Sequence, residues 1–142
     1  MDFIDEFNNS YERILGPGIT IQSKNAQDFF EYFYQLFIKC SPEAGHAFRN
    51  TDMDVQQQML KRSLLFAVSF QTCKERFDYM EQIAKKHSSR EYNIAPDLYD
   101  LWLDCMIASV AKFDPQYNDG VELAWRLALG PAITYMKFMY DK

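Results

Sequence analysis

The chain has few cysteines, and they are widely spaced. Cys40, Cys73 and Cys105 form an odd set in which no two make a Cys-X-X-Cys pair. This spacing is typical of free thiols in a reducing compartment, and it argues against a disulfide framework or a zinc site. Histidine is scarcer still, with two residues.

Long apolar runs and excess positive charge are also missing. No stretch approaches the roughly 20 apolar residues of a membrane-spanning helix. The acidic N-terminal sequence MDFIDEFNN lacks the apolar run of a signal peptide. A formal net charge of −5 leaves no basic stripe to neutralise phosphates. We therefore expect a cytoplasmic protein that binds neither membranes nor nucleic acid.

Repeats, low-complexity tracts and interdomain linkers are absent from the sequence, which predicts a single domain over residues 1–142. Aromatic residues, by contrast, are abundant, with twelve Phe and nine Tyr. This is more aromatic surface than a domain of this size needs in order to fold. It suits a protein that packs rings around something flat and apolar, although a Phe-rich core would give the same count.

Hydrophobic side chains recur at helical spacing along almost the whole chain. The strand-like sequence Ile19-Thr20-Ile21 is too short and isolated to make a sheet. Pro131 lies inside the last apolar stripe and predicts a kink or a loosened turn there. The pattern predicts an all-α protein of about seven helices, over residues 3–15, 23–37, 42–48, 53–67, 77–87, 96–113 and 119–139.

His87 closes one of these apolar stripes. It follows Met80 and Ile83 at helical spacing, while Lys85 and Lys86 occupy the outer face of the same helix. An imidazole on a buried face needs a partner, and a metal is one strong candidate. A satisfied core or surface histidine is the commoner explanation for any single residue of this type.

Two further polar side chains interrupt apolar faces. Tyr34 shares a face with Phe30 and Phe37, so its hydroxyl needs a buried partner or a ligand. Gln56 lies in the line of Met53 and Leu60, where an unsatisfied amide would be costly. Each has a purely structural alternative: a tyrosine bonded to backbone, or a glutamine that faces solvent.

The order of these residues on successive helices resembles the bacterial single-domain globins, including the haem domains of flavohaemoglobins. The most specific segment runs from Tyr34 through Pro42 to Phe48, and the similarity covers nearly the whole chain from residue 24 onward. Other matching positions are Thr51-Asp52-Met53, Gln56, Met59-Leu60, Ile83, His87, Ile94, Pro96, Tyr99 and Ala124-Trp125.

The resemblance implies a globin fold, a three-over-three helical sandwich around haem b (iron protoporphyrin IX). His87 would be the iron ligand, with its other nitrogen bonded to a backbone carbonyl. Phe48 would pack against the porphyrin, while Tyr34 and Gln56 would line the distal side with Leu60 above the iron. The remaining expected wall residues are Ile83, Ile94, Tyr99 and Trp102.

The implied function is reversible binding of O2, and also of NO and CO, at an iron with an open sixth position. Two distal donors, Tyr34 and Gln56, predict slow ligand release, because a hydrogen bond to a charged group contributes roughly 1.5–3 kcal/mol. That behaviour suits oxygen sensing, scavenging or nitric oxide detoxification better than bulk oxygen delivery. These 142 residues resemble only the haem domain of flavohaemoglobins, so we expect nitric oxide dioxygenation to need an external reductase.

The sequence also departs from the family. No glutamate in the last helix pairs convincingly with Tyr99, which counts against peroxidase chemistry. The spacing from His87 to Ile94 is two residues longer than in the family, and Val55 or Gln57 could replace Gln56 if the register shifts by one. Arg49, Arg62 and Arg90 are alternative partners for haem propionates, and His46 is expected to be solvated.

Two other interpretations remain open on the sequence alone. The chain could be a haem-less globin-like regulatory or interaction module, or a generic helical bundle without a cofactor. The second leaves Tyr34, Gln56 and His87 as three coincidental exceptions to the apolar pattern. The sequence does not choose between a monomer and a homodimer.

Overall fold

Seven α-helices account for most of the computed structural model, which describes residues 2–142. Two short 3-10 turns, at Phe70–Thr72 and Met139–Asp141, complete the regular structure, and residues 2–142 contain no strand. The predicted all-α class is therefore confirmed. The helices are α1 (Phe3–Leu15), α2 (Lys24–Cys40), α3 (Pro42–Ala47), α4 (Met53–Ala67), α5 (Lys74–His87), α6 (Leu98–Phe113) and α7 (Asp119–Phe138).

Local chemistry fixes where most of these helices begin. At the start of α3, the Ser41 hydroxyl accepts a hydrogen bond from the backbone N–H of Ala44, and Pro42 takes the first helical position. The capping residues whose side chains accept from N-terminal N–H groups are Asp2, Ser23, Ser41, Asp52 and Asn118. The sequence-predicted starts of α3 and α4 are thus confirmed.

Pro131 lies inside α7, which continues from Asp119 to Phe138 without a break. A proline removes the hydrogen bond to the carbonyl four residues earlier, which here belongs to Leu127. Both Leu127 and Pro131 are on the exposed side of the helix. Water can therefore satisfy the freed carbonyl, and the helix tolerates the proline.

Two helix pairs organise the core. Helix α1 packs on α7, where the Phe7 and Trp125 rings meet edge to face with centroids 4.6 Å apart. Helix α2 packs on α6 through Phe29 and Phe113, 5.7 Å apart. Helices α3, α4 and α5 close the remaining sides, and a cavity lies between α2–α4 on one side and α5–α7 on the other.

A polar network holds α1 against the turn between α6 and α7. The buried Asp114 carboxylate accepts from Ser10 Oγ at 2.6 Å and from Arg13 Nε at 2.9 Å, and Trp125 Nε1 donates to Ser10 Oγ at 2.9 Å. Burial raises the pKa of Asp114, but the bonds from Arg13 and Ser10 outweigh this effect and hold the pKa below its usual value. This end of the molecule is therefore fixed by charge-assisted bonds, away from the cavity.

Candidate functional site

One cavity is lined by all the site residues that the sequence predicts. It lies between helices α2–α4 on one side and α5–α7 on the other, and encloses about 1030 Å³ with its open mouth included. The predicted residues that line it are Tyr34, Phe48, Gln56, Leu60, Ile83, His87, Ile94, Tyr99 and Trp102.

Tyr34 and Gln56 are joined in this cavity. The Gln56 amide Nε2 donates to Tyr34 Oη at 3.1 Å. Tyr34 is 4% exposed, and burial raises the pKa of its phenol while the bond from Gln56 lowers it in part. The phenol therefore stays neutral at physiological pH. Because Gln56 occupies a lone pair of the Tyr34 oxygen, the hydroxyl proton is left for donation to a ligand.

The register of α4 places Gln56 and neither of its neighbours at the cavity. Val55 is 62% exposed, and the buried side chain of Gln57 lies outside the cavity lining. Leu60 and Leu64, one and two turns further along the same face, also line the cavity. The shifted alternatives that the sequence left open are therefore not supported by the position of these side chains.

His87 approaches the cavity from the last turn of α5. Its Nδ1 lies 2.8 Å from the carbonyl oxygen of Ile83, and since a carbonyl can only accept, Nδ1 carries the proton. The Nε2 lone pair is then on the ring edge that points away from the helix. Burial lowers the pKa of His87, and the nearby Lys86 charge lowers it further, although the Ile83 bond acts in the opposite direction. The imidazole is consequently neutral at pH 7.

Tyr99 and α7 form the wall nearest the C-terminus. Tyr99 is buried, and burial raises the pKa of its phenol. The one glutamate of α7, Glu122, is outside the cavity and accepts hydrogen bonds from Tyr117 and Arg126. The cavity-lining side chains of α7 are all apolar: Leu129, Ala132, Ile133 and Met136.

The other candidates from the sequence lie on the surface. His46 is exposed, in agreement with its predicted solvation. Arg49, Arg62 and Arg90 are also exposed, and none of them lines the cavity. Across residues 2–142, no three His, Cys, Asp or Glu side chains gather in a cluster that could hold a metal ion.

Sequence reasoning missed two polar residues of α4. Ser63 lines the cavity, donates to the Met59 carbonyl at 2.8 Å, and lies 2.9 Å from the Tyr79 hydroxyl. Its position seven residues after Gln56 is on the same helical face, so the helical period could have found it. Lys61 is fully buried, and its Nζ lies 2.6 Å from the carbonyl of Thr20. Nothing in the sequence around Lys61 indicates this.

Comparison with known proteins gives one informative similarity. No family model and no curated protein sequence matches the chain. A crystal structure of a protein from Pseudomonas aeruginosa PAO1, described as structurally highly homologous to a human haemoglobin, is similar with a TM-score of 0.86 and 27% sequence identity. The similarity covers 99% of this chain and 100% of that one. No helix within residues 2–142 is long and apolar enough to cross a membrane.

Proposed function

We propose that this chain, which has the fold of a bacterial single-domain globin, binds haem b and through it reversibly binds O2, with NO and CO as further ligands. The observation that carries the proposal is the neutral His87 imidazole, whose free Nε2 lies in the same cavity as the Tyr34–Gln56 pair. One face of the cavity thus offers a metal ligand, and another offers a hydrogen-bond donor.

The residues present fit a haem. Neutral imidazole is a common axial ligand of haem iron, and a backbone carbonyl on the other nitrogen fixes its tautomer and orientation. Phe48, Ile83, Ile94 and Trp102 give the cavity the flat apolar walls that a porphyrin ring requires. When bound, haem supplies the iron position at which a diatomic gas coordinates.

The protein then controls how strongly the gas is held. Tyr34 would donate a hydrogen bond from its hydroxyl to the ligand, while Gln56 orients the phenol and polarises its O–H bond by donating to the oxygen. A hydrogen bond to a group that carries charge contributes about 1.5–3 kcal/mol, equivalent to roughly ten- to a hundredfold in dissociation. We therefore assign tight binding with slow release, as in oxygen sensing, scavenging or nitric oxide detoxification.

Enzymatic activity is a more specific proposal than ligand binding. Nitric oxide dioxygenation would use the same Tyr34 donor and would need electrons from an external reductase. Peroxidase activity is expected to be weak, because the apolar α7 wall offers no carboxylate to His87 or Tyr99. The proposal is therefore primarily a ligand-binding haem protein.

The absorption spectrum tests the proposal, and the chain offers a matched control. Purified protein, supplied with haem, should show a Soret band that collapses or shifts in His87→Ala. It should remain unchanged in His46→Ala, because His46 is the other histidine and is exposed outside the cavity. Protein that stays colourless on addition of haem would overturn the proposal.

That negative result would favour a haem-less regulatory or interaction module of the same fold. Such a module explains the cavity less well. Without a cofactor, the His87 Nε2 lone pair and the Tyr34 hydroxyl proton would both be directed into an apolar cavity with nothing to bind.

A further inference from the structure

The loop after α5 brings an aromatic ring onto the His87 imidazole. The Tyr92 ring meets the His87 ring edge to face, with centroids 5.7 Å apart and planes inclined at 74°. Tyr92 is 65% exposed, so the hydrophobic core does not hold its side chain there. It is also absent from the cavity lining, to which His87 belongs. Tyr92 therefore contacts the candidate iron ligand from outside the cavity.

Backbone hydrogen bonds turn this loop back onto the end of α5. The Tyr92 N–H donates to the Lys86 carbonyl at 2.9 Å. Two residues later, the Ile94 N–H donates to the His87 carbonyl at 3.1 Å. Asn93, between them, has a φ of 54°, in the left-handed region that asparagine adopts more readily than most residues. The bend at Asn93 thus returns the chain to the turn that carries His87.

Tyr140, in the C-terminal 3-10 turn, anchors the same loop at two points. Its carbonyl accepts from the Ser89 N–H at 2.8 Å. Its hydroxyl donates to the side-chain oxygen Oδ1 of Asn93 at 2.5 Å. The loop is therefore fixed near its beginning and at its bend, and Tyr92 lies between these two anchors.

We propose that Tyr92 is a positioning residue for His87, and that Tyr140 anchors the loop that keeps the Tyr92 ring against the imidazole. The inference rests on the proposed function, in which His87 binds the haem iron. Tyr92 acts through His87 and does not itself reach the cavity. Rings that meet edge to face with centroids about 4.5–7 Å apart attract each other, so the contact favours one orientation of the imidazole.

The Tyr92 contact and the Ile83 hydrogen bond have different effects on the imidazole. The Ile83 carbonyl accepts from Nδ1 and so selects the tautomer of His87. One hydrogen bond leaves the ring able to tilt, because the torsion that turns an imidazole about its own bond is broad. A second ring packed against it narrows that range. The direction of the Nε2 lone pair is then set by two contacts from different parts of the chain.

Three variants of the full chain separate the roles of the ring and the anchor. Tyr92→Ala removes the ring, whereas Tyr92→Phe keeps it and is the matched control. Tyr140→Phe removes the hydroxyl that bonds Asn93. All three positions lie outside the cavity lining, so the variants leave the walls of the haem site intact.

The haem-loaded protein gives two measurements. Resonance Raman spectroscopy of the ferrous protein without added gas should show an iron–imidazole stretching band that shifts or broadens in Tyr92→Ala and is restored in Tyr92→Phe. Transfer of haem to excess apomyoglobin should be roughly two- to tenfold faster in Tyr92→Ala. A residue that only stabilised the fold would leave the stretching band in place.

The haem-free protein gives a measurement that does not depend on the cofactor. The chain has two histidines, so ¹⁵N-histidine labelling yields one signal set for His87 and one for the exposed His46 as an internal reference. In Tyr92→Ala, the two His87 ring nitrogens should move towards each other in chemical shift as the ring exchanges between orientations and tautomers. In Tyr140→Phe, backbone amides at residues 91–94 should exchange with solvent roughly two- to tenfold faster.

The two sets of measurements fail in different ways. Protein that takes up no haem but shows the expected ring shifts would overturn the proposed function and retain the contact between Tyr92 and His87. Unchanged ring shifts in Tyr92→Ala, or a Tyr92→Phe variant as altered as Tyr92→Ala, would overturn the positioning role. Unchanged amide exchange in Tyr140→Phe would overturn the anchor.

Discussion

At the level of single residues, one carbonyl decides what His87 can do. Because the Ile83 oxygen accepts from Nδ1, the imidazole is held in one tautomer, and its Nε2 edge is turned away from α5. Burial keeps the ring neutral by lowering its pKa. The same imidazole on an exposed helix face, as at His46, has neither a fixed tautomer nor a cavity to face.

Tyr34 is the residue whose loss should speed ligand release most. Tyr34→Phe keeps the ring that packs edge to face on Phe48 at 5.4 Å but removes the hydroxyl. We expect O2 dissociation from the haem-loaded protein to accelerate by roughly ten- to a hundredfold, since about 1.5–3 kcal/mol is lost. Stopped-flow displacement of O2 by CO measures the rate. Tyr32→Phe, a neighbour outside the cavity lining, is the control, and an unchanged rate in Tyr34→Phe would remove Tyr34 from the site.

Gln56 should act through Tyr34, because its amide donates to the phenol oxygen. Gln56→Leu alone is expected to accelerate O2 release less than Tyr34→Phe does, by only several-fold. In the Tyr34→Phe background, the same change should have little effect, since residues of one hydrogen-bonded pair are not additive. A double-mutant cycle on the dissociation rate measures this. Additive effects would mean that Gln56 contacts the ligand independently.

At the level of helices, N-terminal capping residues and the helical spacing of apolar side chains explain what the sequence predicted. The predicted starts at residues 42 and 53 are correct, and Ser41 and Asp52 fix them locally, because a capping bond reaches only two or three residues along the chain. The face of α5 that ends in His87 followed from spacing alone. The all-α globin fold was predicted and is confirmed, whereas the roles of the cavity residues stay predictions.

Features that depend on contacts between distant elements could not be predicted. Lys61 is buried because the loop after α1 folds over α4 and presents the carbonyls of Pro17 and Thr20 to its ammonium group. Likewise, the sequence alone could not decide which of the three glutamines at 56–58 faces the cavity, because this depends on how α4 packs against α2.

Among the contacts between helices, those of Asp114 should contribute most to stability. Asp114→Asn removes the carboxylate that binds Arg13 and Ser10 at a fully buried position. We expect the free energy of unfolding to fall by about 2 kcal/mol at pH 7, the range for hydrogen bonds to charged groups. Urea denaturation measures it. Asp28→Asn, which breaks an exposed pair with Lys24, should cost less than about 0.5 kcal/mol.

The ion pair of Asp114 also predicts the direction in which the free energy of unfolding changes with pH. The pKa of Asp114 is lower in the folded protein than its usual value of 3.8. Its contribution is therefore fully present above pH 3.8 and is lost as the pH falls through the folded pKa, because the unfolded chain takes up the proton first. The difference in stability between wild type and Asp114→Asn should shrink on acidification below this value. A difference that stays constant would contradict the assigned ion pair.

At the level of the whole molecule, the cavity draws its walls from six helices, α2 to α7. A core with a void of this kind forgoes the dispersion contacts that a filled interior would make. A ligand that fills the cavity should complete the core and stabilise every wall at once.

Haem should consequently raise the thermal midpoint of the whole chain. A ligand that binds only the folded state at a hundred times its Kd adds about 2.7 kcal/mol, which corresponds to roughly 5–10 °C for a domain of this size. Scanning calorimetry of haem-free protein with and without added haem measures the shift. We expect His87→Ala to lose most of it and His46→Ala to retain it, because His87 alone of the two lies in the cavity. An equal shift in both variants would mean that haem associates elsewhere on the surface, and that His87 is not its ligand.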